Sequence, residues 1–248
     1  MIGMTLILAA SIGQSDVSFD AFFADFAKKR DGIFVLEARF SQKDVSKEET
    51  VESKGAIVYV KPRRIIFRYD QADGLGPTYL IDDQTAYEYE PDISQLQITG
   101  LQDNPQTEIF FLGFDNDTEN LKKAYDVEGF TPEKSEPGAH GIIIRPKNKD
   151  EANFREVRLY LRNEDYLPYR IHITHENETQ VDISVTDFHV NGALDPIKTQ
   201  VTLAEGTKII KDDQFVETVG PGGKLTPESV KPEIPLRAET QSEGTVAP

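Results

Sequence analysis

Residues 34–42 read FVLEARFSQ, and the alternation within them decides the fold. Phe34, Leu36, Ala38 and Phe40 fall on one side of an extended chain, and Val35, Glu37, Arg39 and Ser41 on the other. A period of two with one apolar and one mostly polar face is the signature of a strand that covers a core on one side. Immediately upstream the period is different. In SFDAFFADFAKKR, residues 18–30, the aromatic side chains Phe19, Phe22, Phe23 and Phe26 recur at i, i+3, i+4 and i+7. That spacing predicts an amphipathic helix with a greasy stripe. Ser18 is a suitable N-cap. Lys28, Lys29 and Arg30 suit the negative end of the helix dipole, and Gly32 can stop the helix.

Downstream, period two continues. GAIVYV (55–60) is followed by RRIIFRYD, with Ile65, Phe67 and Tyr69 opposing Arg64, Ile66 and Arg68. YLIDDQTAYEYEP turns at Asp82-Asp83-Gln84, after which Tyr87 and Tyr89 alternate with Glu88 and Glu90, and SQLQIT places Leu96 and Ile98 on one face. The pattern breaks over 103–126. Asn104-Pro105 is a helix start, the run Ile109, Phe110, Phe111, Leu112 and Phe114 is fenced by polar residues, and a second short helix is expected through ENLKKAY. Strands resume at GIIIRP, at REVRLYLR (Val157, Leu159 and Leu161 on one face), at PYRIHITH (Tyr169, Ile171 and Ile173), at TQVDISVTDFHV and near TQVTL.

One helix and roughly ten strands with a helical interruption predict a mainly β protein with short α-helices. Its single curved antiparallel sheet, an incomplete or half β-barrel, would be covered on its apolar side by the N-terminal helix and a helical lid. Residues 1–15 carry a short apolar run and small residues, as a signal peptide does. Residues 16–219 form the expected domain, and the Pro-, Gly- and Glu-rich stretch 220–248 is expected to be a disordered tail.

Composition narrows the function. The 248 residues carry 43 acidic and 27 basic side chains, a formal charge of −16. Such a surface repels phosphate backbones, so no nucleic-acid partner is expected. There is no cysteine, which removes disulfides, thiolate catalysis and zinc–thiolate sites. His172 and His175 stand three apart on a predicted strand and point to opposite faces, so no metal site is expected. No nucleophile elbow, zinc-protease helix, P-loop or dinucleotide fingerprint occurs. The expectation is a non-enzymatic protein without cofactors, whose working surface is apolar.

The segments ARFSQ, GAIVYVKPRRIIFRYD, YLIDDQTAYEYEPD, FFLGF after Asn104-Pro105, VTDFHVNGALDP and VTLAEGTKI, in that order from about residue 18 to 210, resemble the LolA-type periplasmic carriers of outer-membrane lipoproteins. The resemblance implies an open β-barrel with a helical lid. Its cavity would take the acyl chains of lipoproteins released by an inner-membrane transporter and pass them to an outer-membrane receptor or membrane acceptor. A periplasmic, monomeric carrier is expected, with an envelope-regulatory module that senses lipid or lipoprotein as the alternative on the same fold. Cavity residues would be Phe34, Leu36, Phe40, Ile65, Phe67, Tyr69, Tyr87, Tyr89, Leu96, Ile98, Val157, Leu159, Leu161, Ile171 and Ile173. The lid would comprise Phe19, Phe22, Phe23 and Phe26 together with Ile109, Phe110, Phe111, Leu112 and Phe114. In the family a basic residue before the Pro of the KP pair, usually Arg, latches the lid. Here that position is Lys61, a flexible point charge rather than a planar fork, with Arg63 and Arg64 as substitutes.

Overall fold

The computed structural model describes residues 15–72, 74, 76–82, 85–101, 111, 118–149, 152 and 154–226, with backbone only for 15–20 and 118–120. Helix α1 spans Ser15–Asp31 and α2 Thr118–Ala124. The strands are β1 (Val35–Val45), β2 (Thr50–Val60), β3 (Arg64–Tyr69), β4 (Thr78–Asp82), β5 (Thr85–Glu90), β6 (Gln95–Gly100), β7 (Tyr125–Phe130), β8 (His140–Pro146), β9 (Phe154–Leu161), β10 (Pro168–His175), β11 (Gln180–Val190), β12 (Thr202–Leu203), β13 (Lys208–Lys211), β14 (Gln214–Thr218) and β15 (Lys224–Leu225). Helix α1 begins three residues before the expected cap at Ser18, and its basic last turn ends, as read, just before Gly32.

Thirteen strands form one curved sheet in the order β14-β13-β6-β5-β4-β3-β2-β1-β11-β10-β9-β8-β7, and its two end strands do not pair, so the barrel stays open. Strand β1 is the seam. It pairs with its sequence neighbour β2 on one side and with distant β11 on the other. Among the described residues the pairing is antiparallel except at one place, where β13 lies parallel to β6. A wholly antiparallel sheet was expected. The exception arises because the chain after β11 crosses the outer face of β2–β5 and reaches the β6 edge running in the same direction. A two-stranded piece, β12 with β15, lies apart from the main sheet. The fold therefore continues past the expected boundary at 220 as far as Thr226, whose N–H donates to the Val201 carbonyl at 3.0 Å.

Residues paired across strands share a face, so the registers sort every side chain. On the inner face, Leu36 pairs with Tyr59, Tyr59 with Ile65 and Ile65 with Ile81. In the other direction Phe40 pairs with Val185, Ile183 with Ile171, Ile171 with Leu159 and Leu159 with Ile142. On the outer face, Val58 pairs with Ile66, Ile66 with Leu80, Leu80 with Tyr87 and Tyr87 with Ile98. Strands β2, β3 and β4 are thus apolar on both sides. They wall an inner core under Phe111 and Leu167, and an outer core under Val201, Leu203, Ile209 and Val219.

Candidate functional site

The inner face has two halves. Over β7–β10, α1 lays Phe23 and Phe26 against Ile142, Ile144, Phe154, Val157, Leu159 and Leu161, joined by Leu121 of α2, with Phe22, Ile171 and Ile173 at its margin. Phe23 and Phe26 stack at 5.7 Å. Over β1–β4, Leu36, Phe40, Tyr59, Ile65 and Ile81 are buried beneath Phe111. Phe67 and Tyr69 flank them, half-buried, and form an aromatic run: Phe40 meets Phe67 edge-on at 6.0 Å and Tyr69 at 5.1 Å, and Tyr69 meets Tyr79 at 5.7 Å. Gly55 makes room for this run, because a Cβ there would sit 2.5 Å from the Phe40 ring. The tyrosine hydroxyls are tied at the rim, Tyr69 donating to Gln42 at 3.0 Å and Tyr79 to Glu90 at 2.6 Å. Burial, then the charge of Asp44, pushes Tyr69 up to about 12. Burial and Glu90 raise Tyr79 as well. Both remain neutral donors across the physiological range, so no charge faces the apolar surface from them.

Three fastenings hold the cover. Tyr166, in the turn between β9 and β10, grips α1. Its hydroxyl donates to Asp25 at 3.1 Å, its ring packs edge-on against Phe22 at 5.2 Å with the Lys29 ammonium 3.9 Å above it, and its carbonyl accepts from Arg30. Asn191, at the end of β11, holds the joint between α1 and β1. Its amide donates to the Gly32 carbonyl at 2.7 Å, and its side-chain oxygen accepts from the N–H groups of Phe34 and Val35 at 2.8 and 3.2 Å. The third fastening comes from the KP turn. Lys61 donates to the Asp31 carboxylate at 2.7 Å and its backbone carbonyl at 3.0 Å, so it caps the α1 C-terminus. The Arg63 guanidinium lies 4.4 Å over the Phe111 ring, a cation–π contact. Of the residues expected to form the latch, Lys61 thus contacts the end of α1 and Arg63 contacts the Phe111 ring.

Arg64 has a different place. It points to the outer face, bonded to Asp82 and, at 3.2 Å, to the Thr199 carbonyl. Strand alternation turns it away from Arg63. With Arg68, whose guanidinium donates to the Gln200 carbonyl, it fixes the crossing segment 196–200. Burial lowers the pKa of Arg68.

Of the expected cavity residues, Leu36, Phe40, Ile65, Phe67, Tyr69, Val157, Leu159, Leu161, Ile171 and Ile173 share the inner face, and Phe34 sits at its rim with Lys61 5.2 Å above the ring. Tyr87, Tyr89, Leu96 and Ile98 do not join them. Asp82 pairs with Thr85 across the β4–β5 turn, so Ala86, Glu88 and Glu90 point inward and both tyrosines outward. The period was right and the face was the opposite one, because the outer face of β5 and β6 is covered by chain from beyond residue 194. The two-sided apolar runs in GAIVYV, RRIIF and YLI carried that signal. Of the expected lid residues, Phe111 is buried in the inner core; Ile109, Phe110, Leu112, Phe114 and the side chain of Phe19 lie outside the described residues. Ile57, Tyr59, Ile81, Tyr166 and Leu167 belong to the face and its cover and were not singled out from the sequence.

Arg30 was also unforeseen. It is 1% exposed, lies 4.9 Å from the Phe26 ring and donates one bond to Tyr166, while its Nε and Nη1 have no hydrogen-bond partner among the described residues. Burial pulls its pKa down to about 9, against the raising influence of Asp165 and Tyr59.

An unclosed sheet whose inner apolar face lies beneath a helix and the Phe111 ring is an open half-barrel with a cover. The family model for the outer membrane lipoprotein carrier protein LolA matches residues 32–202, and the chain belongs to that family. Among curated proteins none matches significantly. Solved structures similar to the chain include an uncharacterized conserved protein from Thermus thermophilus, at 12% identity and TM-score 0.48, covering 78% of this chain and 99% of that one. A LolA superfamily protein from Nitrosomonas europaea aligns at 10% identity and TM-score 0.39, over 70% and 96% of the two chains. LprF from Mycobacterium bovis aligns at 10% and 0.39, over 74% and 98%.

Proposed function

We propose that this protein is a periplasmic carrier that shields the acyl chains of lipoproteins against the inner face of its sheet. It would take them from an inner-membrane releasing transporter and deliver them to an acceptor at the outer membrane, without covalent chemistry. One observation carries the reading. The apolar inner face runs from β4 through β1 to β8, and its cover, α1 and Phe111, is held by side-chain packing and a few contacts at the margins rather than by the sheet's own ladder. Raising α1 and the Phe111 segment would expose a surface suited to alkyl chains. Each CH₂ withdrawn from water contributes about 0.8 kcal/mol, so a single long chain offsets on the order of 10 kcal/mol, enough to displace the buried cover. Opening and closing then need only a modest difference in affinity between the two states.

The test is native mass spectrometry of the folded protein incubated with a purified triacylated lipoprotein. The expected result is a one-to-one complex that is absent when the same cargo lacks its acyl chains. A complex that forms equally with unacylated cargo, or none with a well-folded protein, overturns the reading.

A further inference from the structure

Helix α1 carries a charge where its spacing calls for an apolar side chain. Phe23, Phe26 and Arg30 fall at i, i+3 and i+7, on the stripe that a helix turns toward its core. All three are buried. Lys29, one residue earlier, lays its ammonium over the Tyr166 ring and stays partly exposed. Arg30 does not reach water. Its one hydrogen bond goes to the Tyr166 carbonyl, and Nε and Nη1 have no partner among the described residues. Asp165, whose charge favours the guanidinium, is engaged elsewhere, accepting from the Leu167 N–H at 3.0 Å and pairing with Arg162 at 3.4 Å. Arg64, also buried, is the contrast: it holds the Asp82 carboxylate and the Thr199 carbonyl.

A buried cation short of partners forfeits hydration that its contacts do not return. That cost falls on the seated helix alone. Once α1 leaves the sheet, water supplies the missing partners. Arg30 also stands beside the tether of the helix: Asn191 and Lys61 hold Gly32 and Asp31, the residues that follow it. The rest of α1 is seated by the packing of Phe23 and Phe26 and by the grip of Tyr166. We propose that Arg30 is a release spring for α1: its under-bonded charge raises the free energy of the closed state, so the helix lifts from the sheet more often than the packing of Phe23 and Phe26 alone would permit. For a ligand taken up by the open form, apparent affinity rises with the fraction open, so Arg30 trades stability for access to the inner face. The opening belongs to the free protein and holds whatever the inner face binds.

The test is native-state hydrogen exchange of the full-length protein at pH 7 over a series of low urea concentrations. In wild type the amides of residues 22–29 are expected to exchange faster than those of β1 and β2 and with little dependence on urea, as a local opening does. Arg30→Met is expected to slow them about tenfold or more. Arg30→Lys keeps the charge and is expected to leave them at least as fast as in wild type, which separates the charge from the packing of a long side chain. Exchange of α1 in step with β1 and β2 and with the same urea dependence, unchanged α1 rates in Arg30→Met, or equal slowing in Arg30→Lys overturns the proposal.

Discussion

Replacing Arg30 with methionine is expected to stabilise this protein, although the change deletes a hydrogen bond. Arg30 is 1% exposed and makes one bond, to the Tyr166 carbonyl, while two of its nitrogens lack partners among the described residues. A charge held this way costs more in lost hydration than one bond returns. Met fills similar space, keeps contact with the Phe26 ring and carries no group that needs hydration. Asp165, the carboxylate whose charge favours Arg30, keeps its ion pair with Arg162 at 3.4 Å, so no buried anion is stranded. Exchanges of buried charged groups for apolar ones of like size stabilise by about 1–4 kcal/mol. For a domain of this size that raises Tm by about 2–16 °C.

The pH dependence has a definite sign. The pKa of Arg30 in the folded chain, about 9, lies below its ordinary 12.5. The penalty for burying its charge is therefore fully present below pH 9. It fades as the pH rises from 9 toward 12.5, where the folded protein sheds the proton and the unfolded chain retains it. Urea unfolding of wild type and Arg30→Met should show a constant gap from pH 6 to 8 that narrows above 9. A variant less stable than wild type by 1 kcal/mol or more would refute the reasoning and show that the Tyr166 bond outweighs the lost hydration.

Phe26→Ala removes a buried ring from between α1 and β7–β9 and should cost about 3–5 kcal/mol by urea titration; under 1 kcal/mol would mean α1 is not seated at rest. Lys61→Ala breaks the 2.7 Å contact to Asp31, which should cost at most about 1 kcal/mol globally but speed hydrogen exchange of the amides at the α1 C-terminus; unchanged exchange there would remove Lys61 from the fastening. Phe111→Asp should abolish acyl-chain binding in a fluorescence assay while leaving strand content intact; wild-type affinity would exclude the Phe111 segment from the cover. Asp182 is raised by burial, but the hydrogen bonds from Arg170 and His172 outweigh it and hold the carboxyl below its ordinary 3.8. Its stabilisation is present above that value and is lost as pH falls through the depressed one. Asp182→Asn should cost up to about 1 kcal/mol at pH 7, with the unfolding curves converging in acid.

Most of the architecture was legible because period is a local property. FVLEARFSQ, REVRLYLR and the Phe stripe of α1 each declare strand or helix without help from distant chain. Which face a strand presents inward is not local once both faces are apolar. Tyr87 and Tyr89 alternate cleanly, yet their direction depends on the β4–β5 register and on chain more than a hundred residues later that covers the outer face. The crossing segment itself gives a weak signal: β12, β13 and β15 are two to four residues long, too short to show a period. The placement of the basic residues at the KP turn was half legible. The KP turn marks where basic side chains gather, but only the fold sends Lys61 to α1, Arg63 to Phe111 and Arg64 to the other side.

The seam strand also sets a clock. Strand β1 finds β2 almost at once, but its other edge waits for β11, with Leu36 opposite Val190 across roughly 150 residues of chain. That edge stays unpaired until the chain as far as β11 is available to dock on it. An open edge bearing Leu36, Ala38 and Phe40 is a template for foreign strands. The charges interleaved along it, Glu37, Arg39, Lys43 and Asp44, interrupt that template until β11 arrives. The polar half of the period that identifies the strand thereby also protects it before its partner exists.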